Sequence, residues 1–412
     1  MSELLSPALV VGAHTVGLAV TRALSRVGVP VVLLYYDPQD MGVVSRHAAE
    51  VVAVPHPEQQ EEAFVQALRR LAPRYNGSFL VPASDASLTA IARRKTELAR
   101  DYQVACVDWG IAELFIDKKH TYALAEAAGV PIPRTQVPNS MDEAEAYGRS
   151  AQYPCLVKPC RGHHYFDALH RKMSSVQNLD ELMRAYRQAA ALGLEVMLQE
   201  IIPGEAECGV NYNSYRWDGR PLVEFTAHKV RNAPPDFGSP CVAQNEPMPE
   251  VVQPGRAILD ALGFYGYSCT EFKRDPRDGI YKLMEVNGRH NLSSLLAVNC
   301  GINFPALHYR HLMLGELPEP QSNLSPEMPA ARRRLYWIDL SRDLAYHAPR
   351  VLRRQYSLRA LLKPYLQPHV FAILDWHDLR PFLKRLLDQM RDALRRPAQP
   401  AAPRPEHLPD RR

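Results

Sequence analysis

The most informative part of this sequence runs TEFKRD from Thr270 to Asp275, turns at Asp278-Gly279, and continues as YKLMEVNGR from Tyr281 to Arg289. An Asp-Gly pair between two segments of this kind is a strong signal for a hairpin turn. Because side chains alternate along a strand, the second segment should have one polar and one apolar face. The polar face would carry Glu285, Asn287 and Arg289, preceded by Leu283, and the apolar face Met284 and Val286.

The polar face of this hairpin has the composition of a magnesium site. Mg²⁺ takes oxygen ligands and is usually held by one or two carboxylates together with substrate phosphates. Glu285, Asn287 and a facing Glu271 would supply such ligands. Arg289 would then stabilise charge on a transferring phosphoryl group or on a bound carboxylate. The alternative is an exposed hairpin held by surface salt bridges.

A lysine at the end of a predicted strand gives a second signal. Lys158 follows the apolar run Cys155-Leu156-Val157 and precedes Pro159, and a loop with Arg161-Gly162-His163-His164 comes next. A strand that delivers an ammonium group beside a loop suits a phosphate clamp, where a point charge matters more than bidentate geometry.

A third signal is an apolar strand that breaks at Pro203-Gly204 and resumes as an acidic segment. Such a hinge leaves backbone N–H and C=O groups free to contact an adenine edge. Glu207 would accept hydrogen bonds from ribose hydroxyls. A plain strand-turn-strand with solvated acids remains the alternative.

The first hundred residues alternate strands with helices, which predicts a parallel sheet with covered faces. The predicted strands are 8–12, 29–35, 50–54, 79–82 and 103–107, and the predicted helices are 17–26, 59–71 and 86–97.

The turn from Gly12 to Gly17 resembles a dinucleotide-binding fingerprint, with Asp37 twenty residues after Gly17. His14 stands where the fingerprint needs its middle glycine, and its Cβ would obstruct the pyrophosphate. Leu18 and Ala19 exclude a Walker-type phosphate loop. A structural turn that lines a substrate pocket is therefore favoured over an NAD site, which would belong to an oxidoreductase.

The composition is typical of a soluble enzyme, with 46% apolar and 23% charged residues in 412. A net charge of +4 gives no indication of a nucleic acid partner, and no stretch is long and apolar enough for a membrane span. Seven scattered cysteines without a CxxC pair argue against disulfides and zinc, and favour the cytoplasm. The apolar start lacks the basic leader of a signal peptide.

Apolar residues from Phe382 to Leu394 recur at helical spacing and predict an amphipathic helix. Packing on the body of the protein is favoured, and weak association with a membrane surface through this basic helix is the alternative.

These motifs, in this order, resemble the ATP-grasp superfamily over residues 8–315, and most closely the predicted carboligase branch that includes D-aspartate ligase-like carboxylate–amine ligases. The resemblance implies phosphate contacts from Lys118, Lys158 and Lys229, and catalytic roles for Arg289, Lys158 and Arg231. It implies the metal ligands Glu271, Glu285 and Asn287, and nucleotide contacts from Gln199, Glu200, Ile201, Ile202 and Glu207. The loop after Lys158 departs from the family, because it holds a single glycine where the family is glycine-rich.

The resemblance also implies an α/β fold with α+β lobes. A Rossmann-like pre-ATP-grasp domain would precede a two-lobed ATP-grasp fold and a C-terminal helical extension. The expected divisions are 1–112 for the first domain, 113–198 and 199–318 for the two lobes, 330–396 for the extension and 397–412 for a disordered tail.

The implied activity is that of a ligase which uses ATP and Mg²⁺, with Mn²⁺ as an alternative ion, to join a small-molecule carboxylate to an amine through an acylphosphate. Two alternatives stay open: a carboxylase that uses bicarbonate, and a nucleotide-binding protein without ligase activity. A homodimer also stays open.

Overall fold

The computed structural model describes residues 5–160, 173–234, 238–325 and 334–395. The loop Arg161-Gly162-His163-His164 and the tail 397–412 lie outside the described residues, as do residues 326–333.

The N-terminal part is a five-stranded parallel sheet in the order β3-β2-β1-β4-β5, which confirms the predicted parallel pairing. Its central strands are apolar and fully buried, as expected when helices cover both faces. The strands are β1 (Ala8–Val11), β2 (Val31–Tyr35), β3 (Glu50–Ala53), β4 (Ser78–Pro82) and β5 (Tyr102–Val104). The helices are α1 (Thr15–Ser25), α2 (Glu61–Tyr75), α3 (Asp85–Arg93), α4 (Lys95–Leu98) and α5 (Trp109–Ile116), with a 3-10 turn at Met41–Val44.

A small antiparallel sheet in the order β6-β9-β7-β8 follows. Its strands are β6 (Thr135–Gln136), β7 (Cys155–Pro159), β8 (Ser174–Val176) and β9 (Val196–Glu200). The accompanying helices are α6 (Lys118–Ala127), α7 (Met141–Ser150) and α8 (Leu179–Ala191). Helix α6 ends shortly before Gly129, whose φ of +67° places it in the left-handed region that favours glycine.

An eight-stranded sheet forms the largest layer. Its order is β14-β13-β10-β11-β12-β16-β17, and β15 pairs with β11. The strands are β10 (Gly209–Trp217), β11 (Arg220–Ala233), β12 (Ser239–Asn245), β13 (Gly266–Arg274), β14 (Tyr281–Asn287), β15 (Gln321–Ser322), β16 (Tyr336–Ile338) and β17 (His369–Phe371). The helices α9 (Val252–Ala261), α10 (Ser294–Asn299) and α11 (Phe304–Leu314) accompany it.

One apolar core joins the N-terminal sheet to the large sheet. Leu9 and Val11 of β1 belong to the same buried cluster as Tyr212, Phe272 and Leu283 of the large sheet. Each fully buried side chain of this size contributes about 1.5–3 kcal/mol relative to exposure. This shared core holds the ends of the N-terminal strands next to the hairpin formed by β13 and β14.

The C-terminal extension was predicted to be helical, but residues 334–395 also contribute strands. β16 pairs antiparallel with β12, and β17 pairs parallel with β16, so the extension completes the large sheet. Its helices are α12 (Leu340–Leu352), α13 (Leu358–Leu362) and α14 (Arg380–Arg395), with a 3-10 turn at Lys363–Leu366. Among the described helices, none has the length and apolar character needed to cross a membrane.

Candidate active site

The acidic hairpin forms as predicted, but with a bulge that changes which residues share a face. Glu271 lies directly opposite Glu285, whereas Phe272 pairs with Leu283, so the register shifts by one residue at this point. Leu283 is fully buried in the same core as Val286. The prediction that Leu283 shares a face with Glu285 was therefore wrong, because the extra residue of a bulge interrupts the two-residue alternation.

Lysines from two other elements meet the carboxylates of this hairpin. Lys118, at the start of α6, places its Nζ 3.3 Å from Oε2 of Glu285. Lys229 of β11 forms an ion pair with Glu271. The amide of Asn287 donates to Oε1 of Glu285 at 3.3 Å. The structure thus brings together the predicted metal ligands and two of the predicted phosphate lysines.

Lys158 is buried beside this cluster, with 6% of its surface exposed. Its Nζ donates to Oη of Tyr122 at 3.3 Å and to Oε1 of Gln199 at 3.5 Å. Within the described ranges it has no carboxylate at salt-bridge distance. Burial lowers the pKa of this ammonium, although Glu285 and Glu271 oppose that shift. A buried cation without a direct counter-ion is costly, and an anion would relieve that cost.

The charges around Glu285 keep it ionised. Burial alone would raise the pKa of this carboxyl, but Lys118 and Lys158, with help from Asn287 and Arg289, lower it far below its ordinary value. At Lys229 burial lowers the pKa and Glu271 raises it, and the raising effect dominates. Glu285 and Lys229 therefore stay charged near neutral pH.

The structure does not bring Arg231 to this cluster. A register shift between Lys229 and Arg231 breaks the alternation that would have placed both on one face. Lys229 reaches Glu271, whereas Arg231 donates two hydrogen bonds, of 2.9 and 2.7 Å, to Asp343 of α12. Of these two basic residues only Lys229 lies at the hairpin carboxylates, and the position of Arg231 does not fit the catalytic role expected for it.

Asp343 also belongs to a buried group with metal-ligating side chains. One ligand atom each from Cys241, Asp343 and His347 lies within 4.8 Å of the others. Both oxygens of Asp343 already accept hydrogen bonds from Arg231, and Tyr365 donates to one of them at 2.7 Å. The guanidinium supplies the counter-charge that a metal would bring, so this group does not fit a cation.

Arg289 links the hairpin to the N-terminal sheet. Its Nε and Nη2 each lie 2.9 Å from an oxygen of Asp85, at the start of α3. His14 follows β1 and interacts electrostatically with both Arg289 and Asp85. Burial and Arg289 lower the pKa of His14 to about 4, while Asp85 opposes the shift. Tyr36 donates to Ser84 at 2.8 Å nearby. His14, Tyr36 and Asp85 follow the carboxyl ends of β1, β2 and β4, on either side of the point where strand order reverses, which is where ligands bind in open α/β sheets.

The turn from Gly12 to Gly17 is tightly packed. A Cβ on Gly17 would lie 1.7 Å from the carbonyl oxygen of Gly12, so the strand and the helix meet at van der Waals distance. His14 caps α1, because its Nδ1 accepts from the backbone N–H of Val16 at 3.2 Å. Its side chain therefore occupies an amide donor that a dinucleotide pyrophosphate would use, which favours the interpretation of this segment as a structural turn.

The predicted adenine hinge follows β9. Gln199 is buried and donates to Thr135 at 2.8 Å, and the carbonyl of Ile202 accepts from Lys273 at 2.8 Å. The carboxylate of Glu200 is engaged by Arg277 at 2.8 Å and by Lys282 at 3.4 Å. Ile201 is half-buried and has no regular secondary structure.

Glu207, in the acidic segment after the hinge, lies in a short 3-10 turn, Ala206–Cys208, and β10 begins at Gly209. The chain turns at Gly204, whose φ is +92°, and the N–H of Cys208 bonds back to the carbonyl of Glu205 at 3.1 Å. Glu207 is exposed next to β11, where its carbonyl accepts from His228.

Tyr122 is a site residue that the sequence reasoning missed. Its hydroxyl donates to the carbonyl of Met284 at 2.8 Å and also contacts Lys158. It therefore ties the helix of Lys118 to the hairpin of Glu285. The signal was available, because residues four apart on a helix share a face, and Tyr122 follows Lys118 at that spacing.

Comparisons with known proteins come from sequence and from structure. No family model matches the sequence. The chain is 25% identical to D-aspartate ligase of Enterococcus faecium (strain Aus0004) over 270 residues, which is 59% of this chain and 62% of that protein. The match thus spans less than two thirds of the relative's length.

Two solved structures share the fold. Biotin carboxylase from Campylobacter jejuni, in complex with an ATP analogue, superposes with a TM-score of 0.60 and 13% identity, covering 76% of this chain and 72% of that chain. L-amino acid ligase from Bacillus licheniformis superposes with a TM-score of 0.59 and 18% identity, covering 76% and 75%. The relatives and the structures all point to the ATP-grasp superfamily, and the resemblance predicted from the motifs is confirmed.

Proposed function

We propose that this chain, with its ATP-grasp fold, is an ATP-dependent carboxylate–amine ligase. The observation that carries the proposal is the meeting of Lys118 with Glu285 at 3.3 Å beside the buried ammonium of Lys158. Separate elements deliver these three charges to one place, and the ammonium of Lys158 has no direct counter-ion within the described ranges. A polyphosphate with a divalent cation matches this pattern of charge.

The residues of the hairpin fit a magnesium ion. Glu271 and Glu285 are direct cross-strand partners, so their Cβ atoms lie about 4.5–5.5 Å apart, and Asn287 contacts Glu285. These are oxygen donors of the type that Mg²⁺ prefers. When bound by Glu271, Glu285 and Asn287, Mg²⁺ would neutralise part of the phosphate charge. Mn²⁺ prefers similar ligands and is proposed as a substitute.

Three lysines are proposed to bind the phosphates. Lys118 and Lys229 would exchange their present carboxylate partners, in part, for phosphate oxygens. Lys158 is already desolvated, so its charge acts on the phosphates with little screening by water. Residues Gln199 to Ile202 are proposed to contact the adenine, and Glu207 the ribose.

The proposed reaction has two steps. A carboxylate oxygen bonds to the γ-phosphorus while the bond from that phosphorus to the β–γ bridging oxygen breaks, which releases ADP and leaves an acylphosphate. An amine nitrogen then bonds to the acyl carbon, phosphate leaves with its oxygen, and the nitrogen loses a proton. Arg289 is proposed to hold the carboxylate, because its guanidinium lies between the hairpin and Asp85. Catalysis would rest on positioning and charge stabilisation.

The division of the chain forms part of the proposal. We propose a pre-ATP-grasp domain over 1–112, lobes over 113–198 and 199–318, and an extension over 330–396. The nucleotide would lie between the lobe that carries Lys118 and Lys158 and the lobe that carries Glu271 and Glu285.

The test is a screen for ADP release with MgATP and paired substrates. D-aspartate, D-alanine and other amino acids would be offered as carboxylates and as amines, and bicarbonate would form a separate arm. We expect ADP and phosphate to appear together with an amide product seen by mass spectrometry. Turnover with bicarbonate alone, or NADH binding to an enzyme that shows no ADP release, would overturn the proposal.

A further inference from the structure

The buried side of helix α12 is polar and its exposed side carries large apolar residues. Its buried side carries Asp343 and His347, whose polar groups are satisfied by Arg231 and by each other. Its outer side carries Leu344 and Leu352, and Leu352 is 86% exposed. A helix that faces water normally shows the opposite pattern, with apolar residues inside and polar residues outside.

The same pattern continues through α13 and the 3-10 turn after it. Leu361 is buried, whereas Leu358, Leu362 and Leu366 are exposed at a spacing of four residues, and Leu366 is 76% exposed. Single exposed apolar residues are common on proteins, but a run of them along consecutive elements marks an interaction surface. The exposed large apolar side chains of this segment are Leu344, Tyr346, Leu352, Leu358, Leu362 and Leu366.

The charged side chains from Leu344 to Leu374 are all basic. No aspartate or glutamate occurs from Leu344 to Leu374, while five cations do. These cations are Arg350, Arg353, Arg354, Arg359 and Lys363. Nowhere in the described residues does any of the five form an ion pair, although the ring of Tyr356 lies 5.7 Å from the guanidinium carbon of Arg350.

We propose that this outer face, formed by the six apolar and five basic side chains, binds the surface of a membrane that contains anionic lipids. Leucines enter the boundary between headgroups and acyl chains, while arginine and lysine stems lie along it and place their charges at lipid phosphates. Clusters of four to eight basic residues next to apolar side chains are the usual sequence mark of such binding. The inference stands independently of the proposed ligase reaction.

A second copy of this chain is a poorer occupant of the same face. A two-fold dimer brings the same patch of both subunits together, so unpaired cations would meet unpaired cations. Like charges placed opposite each other oppose association. Anionic headgroups supply the charge that the face lacks.

Helix α14, the element for which surface association was weighed from the sequence, also exposes Leu383, Leu387 and Met390, but its contacts with the body and its paired charges make it less suited to this role. Phe382 packs against the buried core, and Arg385 bonds to Asp339 of the body at 3.3 Å. Its cations Lys384 and Arg391 lie 2.7 and 3.6 Å from Asp388. The segment from α12 to the 3-10 turn therefore carries the inference.

The experiment is vesicle flotation of the full-length chain. Vesicles of phosphatidylcholine alone would be compared with vesicles that contain about 30% phosphatidylglycerol. We expect binding to the anionic vesicles alone, and its loss in about 0.5 M salt, where exposed charges are screened. The double variant Leu352→Ser/Leu366→Ser and the quadruple variant Arg353→Gln/Arg354→Gln/Arg359→Gln/Lys363→Gln should each bind at least about tenfold more weakly.

Matched controls change the same residue types on other surfaces. Leu192→Ser/Leu314→Ser removes two leucines that are 51% and 48% exposed, and Arg70→Gln/Arg100→Gln/Arg184→Gln/Arg187→Gln removes four exposed cations. Both should float like the parent, and circular dichroism would check the fold of every variant. Equal binding to neutral vesicles would overturn the proposal, as would retained binding by the outer-face variants. The proposal would also be overturned if the parent bound neither kind of vesicle and light scattering showed a dimer that Leu352→Ser/Leu366→Ser dissociates.

Discussion

Two buried cations, Arg231 on the large sheet and Lys158 on the small sheet, differ in how completely their charges are paired. Arg231, with 3% of its surface exposed, meets Asp343 through two hydrogen bonds and donates two more to the carbonyls of Ala360 and Leu361. Lys158 is buried nearly as deeply, yet its hydrogen-bond partners in the described ranges are a phenol at 3.3 Å and an amide at 3.5 Å.

The difference separates a structural role from a ligand-binding role. Arg231 makes four hydrogen bonds that fix the C-terminal extension to β11, and Asp343 supplies its counter-charge. Lys158 keeps a desolvated charge that nothing in its described surroundings neutralises directly. A protein tolerates such a charge where function requires it, because binding sites hold strain that the rest of the fold compensates.

The largest expected effect comes from breaking the complete pair. Asp343→Asn leaves the Arg231 guanidinium buried without its counter-charge, and should lower the free energy of unfolding by about 3–5 kcal/mol. Urea denaturation of the ligand-free chain measures this. The control Asp388→Asn breaks an (i,i+4) pair with Lys384 on α14 and should cost less than about 1 kcal/mol. Equal costs for the two variants would contradict the structural role.

Next in size is the loss of catalysis when the incompletely paired Lys158, or Arg289 at the end of the acidic hairpin, is changed. Arg289→Ala or Lys158→Ala should lower kcat about 100-fold to 1000-fold, equivalent to ~2.7–4 kcal/mol, as for the loss of a preorganised donor. The rate of ADP release measures this, and Arg274→Ala, an exposed arginine on the same hairpin, is the control. Activity that survives both changes would refute the roles assigned to Arg289 and Lys158.

A smaller effect of opposite sign is expected for stability at Lys158. Burial lowers the pKa of Lys158 in the folded state below its ordinary value near 10.5. Above pH 10.5 the amine is neutral in both the folded and the unfolded state, so it does not destabilise the fold. As the pH falls through the folded pKa, the buried amine becomes charged and that stability is lost. At pH 7 the charged lysine therefore costs stability. Lys158→Met should raise the free energy of unfolding of the ligand-free chain by about 1 kcal/mol. A loss as large as that of Asp343→Asn would mean that Lys158 is paired as completely as Arg231.

The smallest expected effect lies in the pH profile of kcat/KM for ATP, which reports groups of the free enzyme. The alkaline limb should begin below pH 10.5, because burial lowers the pKa of Lys158. Lys158→Arg should move this limb upward. Tyr122→Phe should leave it in place, since burial raises the pKa of Tyr122 to about 12. An alkaline limb that Lys158→Arg does not move would assign the titration to another group.

Local patterns were enough to predict much of the fold. The strands β1 and β4 were predicted to within a residue, because short apolar runs bounded by turn residues have few other interpretations. The hairpin was predicted from Asp278-Gly279 and from the alternation after it. The strands β16 and β17 were not predicted, because three-residue strands carry almost no periodic signal and depend on their neighbours in the sheet.

The site was predictable where neighbours in sequence are neighbours in space. Glu285 and Asn287 share a strand face, so their contact follows from spacing alone. The predicted placement of Arg231 in the site was wrong because its partner Asp343 lies 112 residues further along the chain. In addition, a bulge turns the side chain of Arg231 away from that of Lys229. Bulges leave no reliable mark in a single sequence, and an unpredicted bulge is also the reason why Leu283 was assigned to the wrong face of its strand.

The most direct test of the central claim is calorimetric titration of the full-length chain with ATP, with and without Mg²⁺. If Lys118, Lys158 and the hairpin acids hold one nucleotide, the parent will bind one ATP in a Mg²⁺-dependent manner. Lys158→Met and Glu285→Gln will each weaken binding at least about tenfold, by removing a charge-assisted contact, and Asp388→Asn will bind as the parent does. Binding that ignores Mg²⁺ and survives both Lys158→Met and Glu285→Gln would contradict the account.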